Sequence, residues 1–571
     1  MRIAALSLAV GALGTAGAQT VKPPAPGPLR PYVFPNVEQF QLDNGLKVIL
    51  VEKHTVPVIE GRLILDAGAM REPGAKNGLA SLTGRLLSEG TADLTGAEIA
   101  RQMDALGAQY STGGGFSTSF ADVVALKNVF PQAMQLAAKT VISPSFPATE
   151  FIRVKNQALA AYQQNHARAA GLASDAFIRA AFDSAAPFSR PAAGTLVTIG
   201  GLTRDDVVNW HRTMYAPAAA TLLLVGDITP AEARSVAQQA FGGWTATRAA
   251  MAPVMNPIRQ SSGTRVILVD RPGSVQSSIV VGQPGFQATD PDYISMLALN
   301  HVLGGAVSSR LNTNLREKHG YTYGIFSGLD LRPGAGSFQM QSEVRTSATD
   351  SSLAEAIGEY RRIVTEPVPA PELGGAVNNL VSGFPNAVQS VQGLTGRLQN
   401  LIVWGLPMDF YATYRERLAA VTPEDVRRVA ASKLTPDNLV VVVAGDLSKI
   451  EAPIRARNLG TVEVWDPNGN KVRLGKTAVA GPGKAALVFP GRPARKSRPS
   501  YFWCLTNFRR NESDHHYSPG RTGSARGAGA AETGAWCRAN SRAGESVRAQ
   551  SRGYPAARGE LSCAARGTGG H

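Results

Sequence analysis

The chain has 571 residues, ample for several cores, and a hydrophobic fraction of 44%, that of a globular protein. Its net charge of +15 is unevenly placed. From residue 471 onward 18 Lys and Arg stand against 5 Asp and Glu, so the preceding body is close to neutral. That distribution argues against a body built to grip nucleic acid. The three cysteines, Cys504, Cys537 and Cys563, all lie in the tail, which excludes disulfide bracing and a thiol nucleophile in the body.

Arg2, the apolar run from Ile3 to Leu13 and the small residues Ala16-Gly17-Ala18 read as a signal peptide over residues 1–18, cut after Ala18. Export is therefore expected, to the bacterial periplasm. The run is too short to span a bilayer, and no other apolar stretch reaches about 18 residues, so no transmembrane helix is expected in the mature chain. Six prolines, from Pro23 to Pro35, make residues 19–36 an extended leader.

Leu46 to Val51, Leu222 to Val225 and Leu439 to Val443 are apolar, β-branched runs of strand length. Thr95 to Leu106, Ile199 to Met214 and Pro423 to Leu434 have helical spacing. Thr95, Thr203 and Thr422 are N-cap candidates, each with an acid three residues on: Glu98, Asp206 and Asp425. The segments also repeat. Val48-Ile49-Leu50-Val51-Glu52 returns as Val266-Ile267-Leu268-Val269-Asp270, offset by 218. Leu202 to Val207 returns as Val421 to Val426, Pro217 as Pro436, and Val225-Gly226-Asp227 as Ala444-Gly445-Asp446, each offset by 219. Four ordered matches at nearly constant offset predict a duplicated domain. We place the copies at 37–250 and 264–470, joined by a linker at 251–263. The expected fold is α+β, two homologous domains each with helices packed on a mainly antiparallel sheet. Residues 471–571, rich in Arg, Gly, Ser and Ala, read as a basic, disordered tail; a basic arm binding an acidic polymer or membrane surface is the alternative.

Positions 78–91 read GLASLTGRLLSEGT. An inverted zinc-peptidase helix carries His-x-x-Glu-His, with imidazoles at i and i+4 on one face and a Glu as general base. Those slots hold Ser81, Gly84 and Arg85, so no metal is expected here. Leu79, Leu82 and Leu86 are spaced to face the core, with Ser81, Gly84, Arg85 and Ser88 opposite. Arg85 also reads as an ordinary solvated charge. The run from Ser111 to Phe116 contains Gly113, Gly114 and Gly115, which weaken a strand and permit a bulge or a loop touching substrate or partner.

With DNGLKVILVE, FSRPAAGT, YAPAAATLLLVGDI and LGGAVSSRLNTNLREKHGYTYGIFSG, these motifs give a chain that resembles the insulinase/pitrilysin family of inverted zincin peptidases, which includes the mitochondrial processing peptidases. The likeness spans about residues 37 to 470. It implies that each chain forms half of a clamshell and that the third zinc-ligand slot falls at Ala161, with Val154 where the family often has another Glu. All three ligand slots and the base slot are thus empty. The resemblance also implies that an Arg and a Tyr of the C-terminal domain bind the substrate backbone and stabilise the tetrahedral intermediate. They match Arg316 and Tyr323, with Tyr321 as competitor for the second role. Helix over Ser309 to Lys318, a left-handed cap at Gly320 and a strand opening at Tyr323 would put both at one corner. A surface ion pair for Arg316 and packing for Tyr323 are the plain readings.

The expectation is a non-zinc subunit of an exported heterodimeric metallopeptidase. It binds no cofactor itself and lends Arg316 and Tyr323 to a zinc-bearing homologous subunit that cleaves unfolded peptides. The alternative is a non-catalytic pseudopeptidase acting as a peptide-binding or scaffold subunit of a membrane-associated complex.

Overall fold

The computed structural model describes residues 32–255, 257–259 and 262–472. The expected signal peptide, most of the leader, and the tail beyond residue 472 with its cysteines lie outside the described residues. Twelve strands form two six-stranded sheets. The first contains β1 (Glu38–Gln41), β2 (Lys47–Glu52), β3 (Val58–Leu65), β4 (Gln109–Gly114), β5 (Ser119–Leu126) and β6 (Ala220–Gly226), in the order β1-β2-β6-β3-β5-β4. The second contains β7 (Arg265–Asp270), β8 (Gln276–Phe286), β9 (Thr322–Asp330), β10 (Gly336–Arg345), β11 (Val440–Gly445) and β12 (Thr461–Trp465), in the order β12-β7-β11-β8-β10-β9.

Five of the six positions correspond one to one, as the sequence repeat requires, and the fold is the expected α+β pair. The central pairs β2–β6 and β7–β11 are parallel, and most other neighbours are antiparallel. The outermost strand breaks the symmetry. In the first sheet β1 precedes β2 and runs antiparallel to it; in the second, β12 comes from the end of the described chain and runs parallel to β7.

The two halves interlock. β11 is buried along its whole length, because a strand covered on both faces reads as a continuous apolar run. One cover comes from the other half: Leu172, Ala173 and Phe177 of helix Ala169–Ala181 pack with Ile267, Val269 and Val442. Reciprocally, Leu394, Leu398 and Leu401 share one face of helix Val391–Trp404 and a core with Ile49, Ile64 and Leu223 of the first sheet. The leader's last residues belong to this packing as well. Phe34 is buried, with its ring 5.6 Å from Tyr411 and 6.4 Å from Phe384.

A buried charge cluster crosses the same junction. Arg62 on β3 donates to Asp122 at 2.8 Å and to Gln399 of helix Val391–Trp404 at 2.9 Å. Its Nη2 is 2.9 Å from Glu60 Oε1, yet neither Glu60 oxygen has a well-aligned hydrogen bond. Burial, then repulsion from Asp122, pushes the Glu60 carboxyl up to about 8 against the attraction of Arg62.

The expected caps form. Thr95 with Glu98, Thr203 with Asp206 and Thr422 with Asp425 each make a reciprocal capping box. The expected single helix from Ile199 to Met214 is instead two, Leu196–Gly201 and Arg204–Met214. Thr203 takes extended geometry (φ −111°, ψ 163°) to cap the second helix and so ends the first. Among the described residues no helix is long and apolar enough to cross a membrane.

Candidate functional site

Helix Leu79–Leu86 carries the altered zinc motif. Gly78 precedes it at φ +97°, and no side chain of its own caps it. The Glu72 carboxylate does so from outside, accepting N–H bonds from Gly78 at 2.9 Å and Ala80 at 2.5 Å and the Asn77 amide at 3.2 Å. Burial raises the Glu72 carboxyl to about 7, with the Ala80 and Gly78 donors opposing. Leu79, Leu82 and Leu86 are buried, as their spacing implies.

Ser81, Arg85 and Ala161 line one cleft of about 160 Å³ together with Tyr162, Asn165 and Ile199. Ala161 lies on helix Ala148–His166, whose Val154 is a core residue. The structure thus brings three of the four motif positions together. Their chemistry does not fit zinc: a hydroxyl, a guanidinium and a methyl offer no strong ligand set, and the cation repels a metal ion. Among the described residues no three His, Cys, Asp or Glu side chains gather into a metal-binding group.

The fourth position departs from its expected place. Gly84 is not on the cleft face; it is buried against β4. A Cβ at Gly84 would lie 2.3 Å from the Gly113 carbonyl carbon, and one at Gly114 would lie 2.2 Å from the Ala80 oxygen. The helix and the strand therefore touch backbone to backbone. This corrects the loop reading of Gly113, Gly114 and Gly115. Gly113 and Gly114 are the last residues of edge strand β4, paired with β5 in unbroken register, and Gly115 alone belongs to the connection. The small size of Gly113 and Gly114 serves close packing.

Arg316 and Tyr323 lie at one corner of the second half. Helical structure begins at Arg310 and becomes π-helical over Asn312–Lys318, a wide turn uncommon outside functional sites. Gly320 turns the chain at φ +61°. Its N–H returns to the Arg316 carbonyl at 3.1 Å, and that of Tyr321 to Leu315 at 2.9 Å. On β9, Tyr323 and Gly324 together face the single residue Glu343 of β10, between the pairs Thr322–Val344 and Ile325–Ser342. This bulge turns Tyr323 outward, and its side chain is 93% exposed. Arg316 is also half-exposed, 3.4 Å from the exposed Glu317. Tyr321 instead stacks on His319, with ring centres 4.9 Å apart.

Sequence reasoning missed the residue that ties the corner together. Asn312 is fully buried. Its amide donates to Ile325 O at 2.8 Å and Ala306 O at 3.1 Å, and its oxygen accepts from Ile325 N at 3.0 Å. One side chain thus joins the π-helical turn to β9, two residues past Tyr323. Along the chain Asn312 stands among Arg310, Thr313 and Asn314, so nothing local set it apart.

Comparison with known proteins agrees with this geometry. Residues 47–194 match the model described as insulinase (peptidase family M16), and residues 201–380 match that of the peptidase M16 inactive domain. The chain belongs to the insulinase family of peptidases. It is 26% identical over 412 residues to an uncharacterized zinc protease of Streptomyces coelicolor, covering 70% of this chain and 87% of the relative. It is 22% identical over 410 residues to a non-peptidase homolog of Helicobacter pylori, covering 70% and 92%. A structure of a peptidase M16 inactive domain from Pseudomonas fluorescens superposes with TM-score 0.68 at 28% identity, over 72% of this chain and 98% of that one. A Helicobacter pylori protease gives TM-score 0.67 at 19% identity, over 72% and 100%. This chain is a homologue of the non-zinc type, with all four motif positions substituted.

Proposed function

We propose that the chain is the non-zinc subunit of an exported heterodimeric peptidase. It would form half of a clamshell and lend Arg316 and Tyr323 to a homologous partner that carries the zinc. The observation that carries this reading is the contrast between the two halves. In the first, every metal position is substituted and the base position is closed by β4. In the second, a π-helical turn, a bulge and a buried Asn hold a guanidinium and a phenol outward with no binding partner beyond Glu317 among the described residues. A fixed guanidinium beside a phenol can bind a peptide carbonyl and stabilise the oxyanion that develops on it. The partner supplies the metal; this chain supplies donors.

The test is reconstitution with a zinc-bearing homologue from the same organism, using unfolded peptides. The pair cleaves and neither chain does so alone. Arg316→Ala or Tyr323→Phe lowers kcat by about 100-fold with the dimer intact, the typical effect of removing one oxyanion donor. Zinc-dependent cleavage by this chain alone, or full activity of the Arg316→Ala pair, would overturn the reading in favour of independent catalysis or of a scaffold.

A further inference from the structure

We propose that the cleft around Arg85 is a carboxylate site that holds the C-terminal residue of a peptide bearing a small apolar side chain. The proposal rests on the reading of the chain as a peptide-handling subunit. It assigns a task to the half whose metal positions are substituted: a cation stands at one of those positions, with different selectivity.

Three features support it. First, the Arg85 guanidinium opens into the cleft with most of its donors unused. Among the described residues its one protein bond runs from Nη2 to Gln157 Oε1 at 3.4 Å, well beyond the roughly 2.7–2.9 Å of a charge-assisted bond. A guanidinium presents two parallel N–H groups that match one carboxylate. Second, the remaining wall is mostly apolar, with Leu82, Ala158, Ala161 and Ile199 beside the polar Asn165 and Asp175. The space of about 160 Å³ beside these residues can take a small side chain next to the carboxylate. Third, the acid on the same wall is paired with an imidazole rather than with Arg85. Asp175 is held by His166 Nε2 at 2.7 Å, and Tyr162 stacks on that imidazole with ring centres 3.9 Å apart. Arg85 is therefore the charge left for a ligand, and the Ser81 hydroxyl stands one helical turn before it as a further donor.

The choice of a carboxylate over a phosphate follows from charge. One guanidinium matches one negative charge, whereas a phosphate brings up to two into a cleft whose other walls are mostly apolar.

Titration calorimetry on the full chain, without any partner, tests this with acetyl-tetra-alanine as the free acid and as the C-terminal amide. The acid is expected to bind at least about tenfold more tightly, because a hydrogen bond to a charged group is worth roughly 1.5–3 kcal/mol. Arg85→Gln should remove the preference for acid over amide while leaving the unfolding midpoint in place, and Arg85→Lys should restore part of it. Equal binding of acid and amide, no binding of either at millimolar concentration, or displacement of the acid by equimolar inorganic phosphate would each overturn the proposal. Because no zinc subunit is present, such a result leaves the Arg316 and Tyr323 assignment standing; conversely, an inactive reconstituted pair leaves the acid–amide comparison intact.

Discussion

Gly84→Ala separates two effects of opposite sign. Inside a helix, Ala is favoured over Gly by about 1 kcal/mol, so propensity alone makes the variant more stable. Packing opposes this. The new methyl would sit 2.3 Å from the Gly113 carbonyl carbon and 2.5 Å from both Gly113 O and Gly114 N. These are backbone atoms of a hydrogen-bonded strand and cannot swing aside like a side-chain tip. Overpacking of this kind costs roughly 1–3 kcal/mol and more where backbone must move. With helix Leu79–Leu86 and β4 locked on both sides by cores, we place the cost near the top of that range. The net is a loss of about 2 kcal/mol.

The control is Gly375→Ala in helix Ala370–Ala387, where an added Cβ meets nothing within 4 Å. That substitution should stabilise by up to about 1 kcal/mol. Urea unfolding of both variants measures the difference. If Gly84→Ala is as stable as the parent or more so, the backbone contact between helix and strand is wrong. The same contact predicts that installing the family's zinc motif with S81H, G84E, R85H and A161E yields no stoichiometric zinc by metal analysis, since Glu brings the same Cβ.

Three further outcomes follow from other buried contacts. Asn312→Leu strands the Ile325 N–H and carbonyl, at about 1–3 kcal/mol for each unpaired group. It should destabilise the second half, seen as faster amide exchange at Ile325, and should lower kcat of a reconstituted pair more than it raises KM. Glu60 titrates with its folded value raised, so the native state binds more protons than the unfolded chain between the ordinary carboxylate range and about pH 8. Its contribution is complete at low pH and is lost as pH rises through 8. Glu60→Gln should flatten that part of the stability–pH profile and unfold at higher urea than the parent at pH 9; an unchanged profile would refute the assignment. Arg332 of the β9–β10 connection sits 4.2 Å from the Phe116 ring and 3.6 Å from that of Phe188, both in the first half. Arg332→Ala should cost about 1–2 kcal/mol, measured by denaturant unfolding, as a desolvated cation–π pair does.

The sequence by itself determined the duplication, the strands at its centre, the threonine caps and the altered metal motif. These are local signals: alternation or continuity of apolar residues, a cap with its acid three residues on, and the identity of side chains at fixed helical spacing. They also sufficed to place Arg316 and Tyr323 at a helix-to-strand corner. Where local signals conflicted, the reading slipped. Ile199 to Met214 kept helical spacing through Thr203, and that periodicity outweighed the cap signal of Thr203 and Asp206, which marks the start of a second helix. Only the tertiary structure decided what the glycines do. Gly84 and Gly114 look like weak points in a helix and a strand until the two are brought within backbone contact, a pairing between residues distant in sequence. It likewise decided that each sheet is covered by a helix of the other half, that Asn312 ties the π-helical turn to Ile325 of β9, and that Arg85 opens onto a cleft. Each of these is a distance between segments whose separation along the chain carries no periodic trace, so the physics that fixes them acts only once the core has closed.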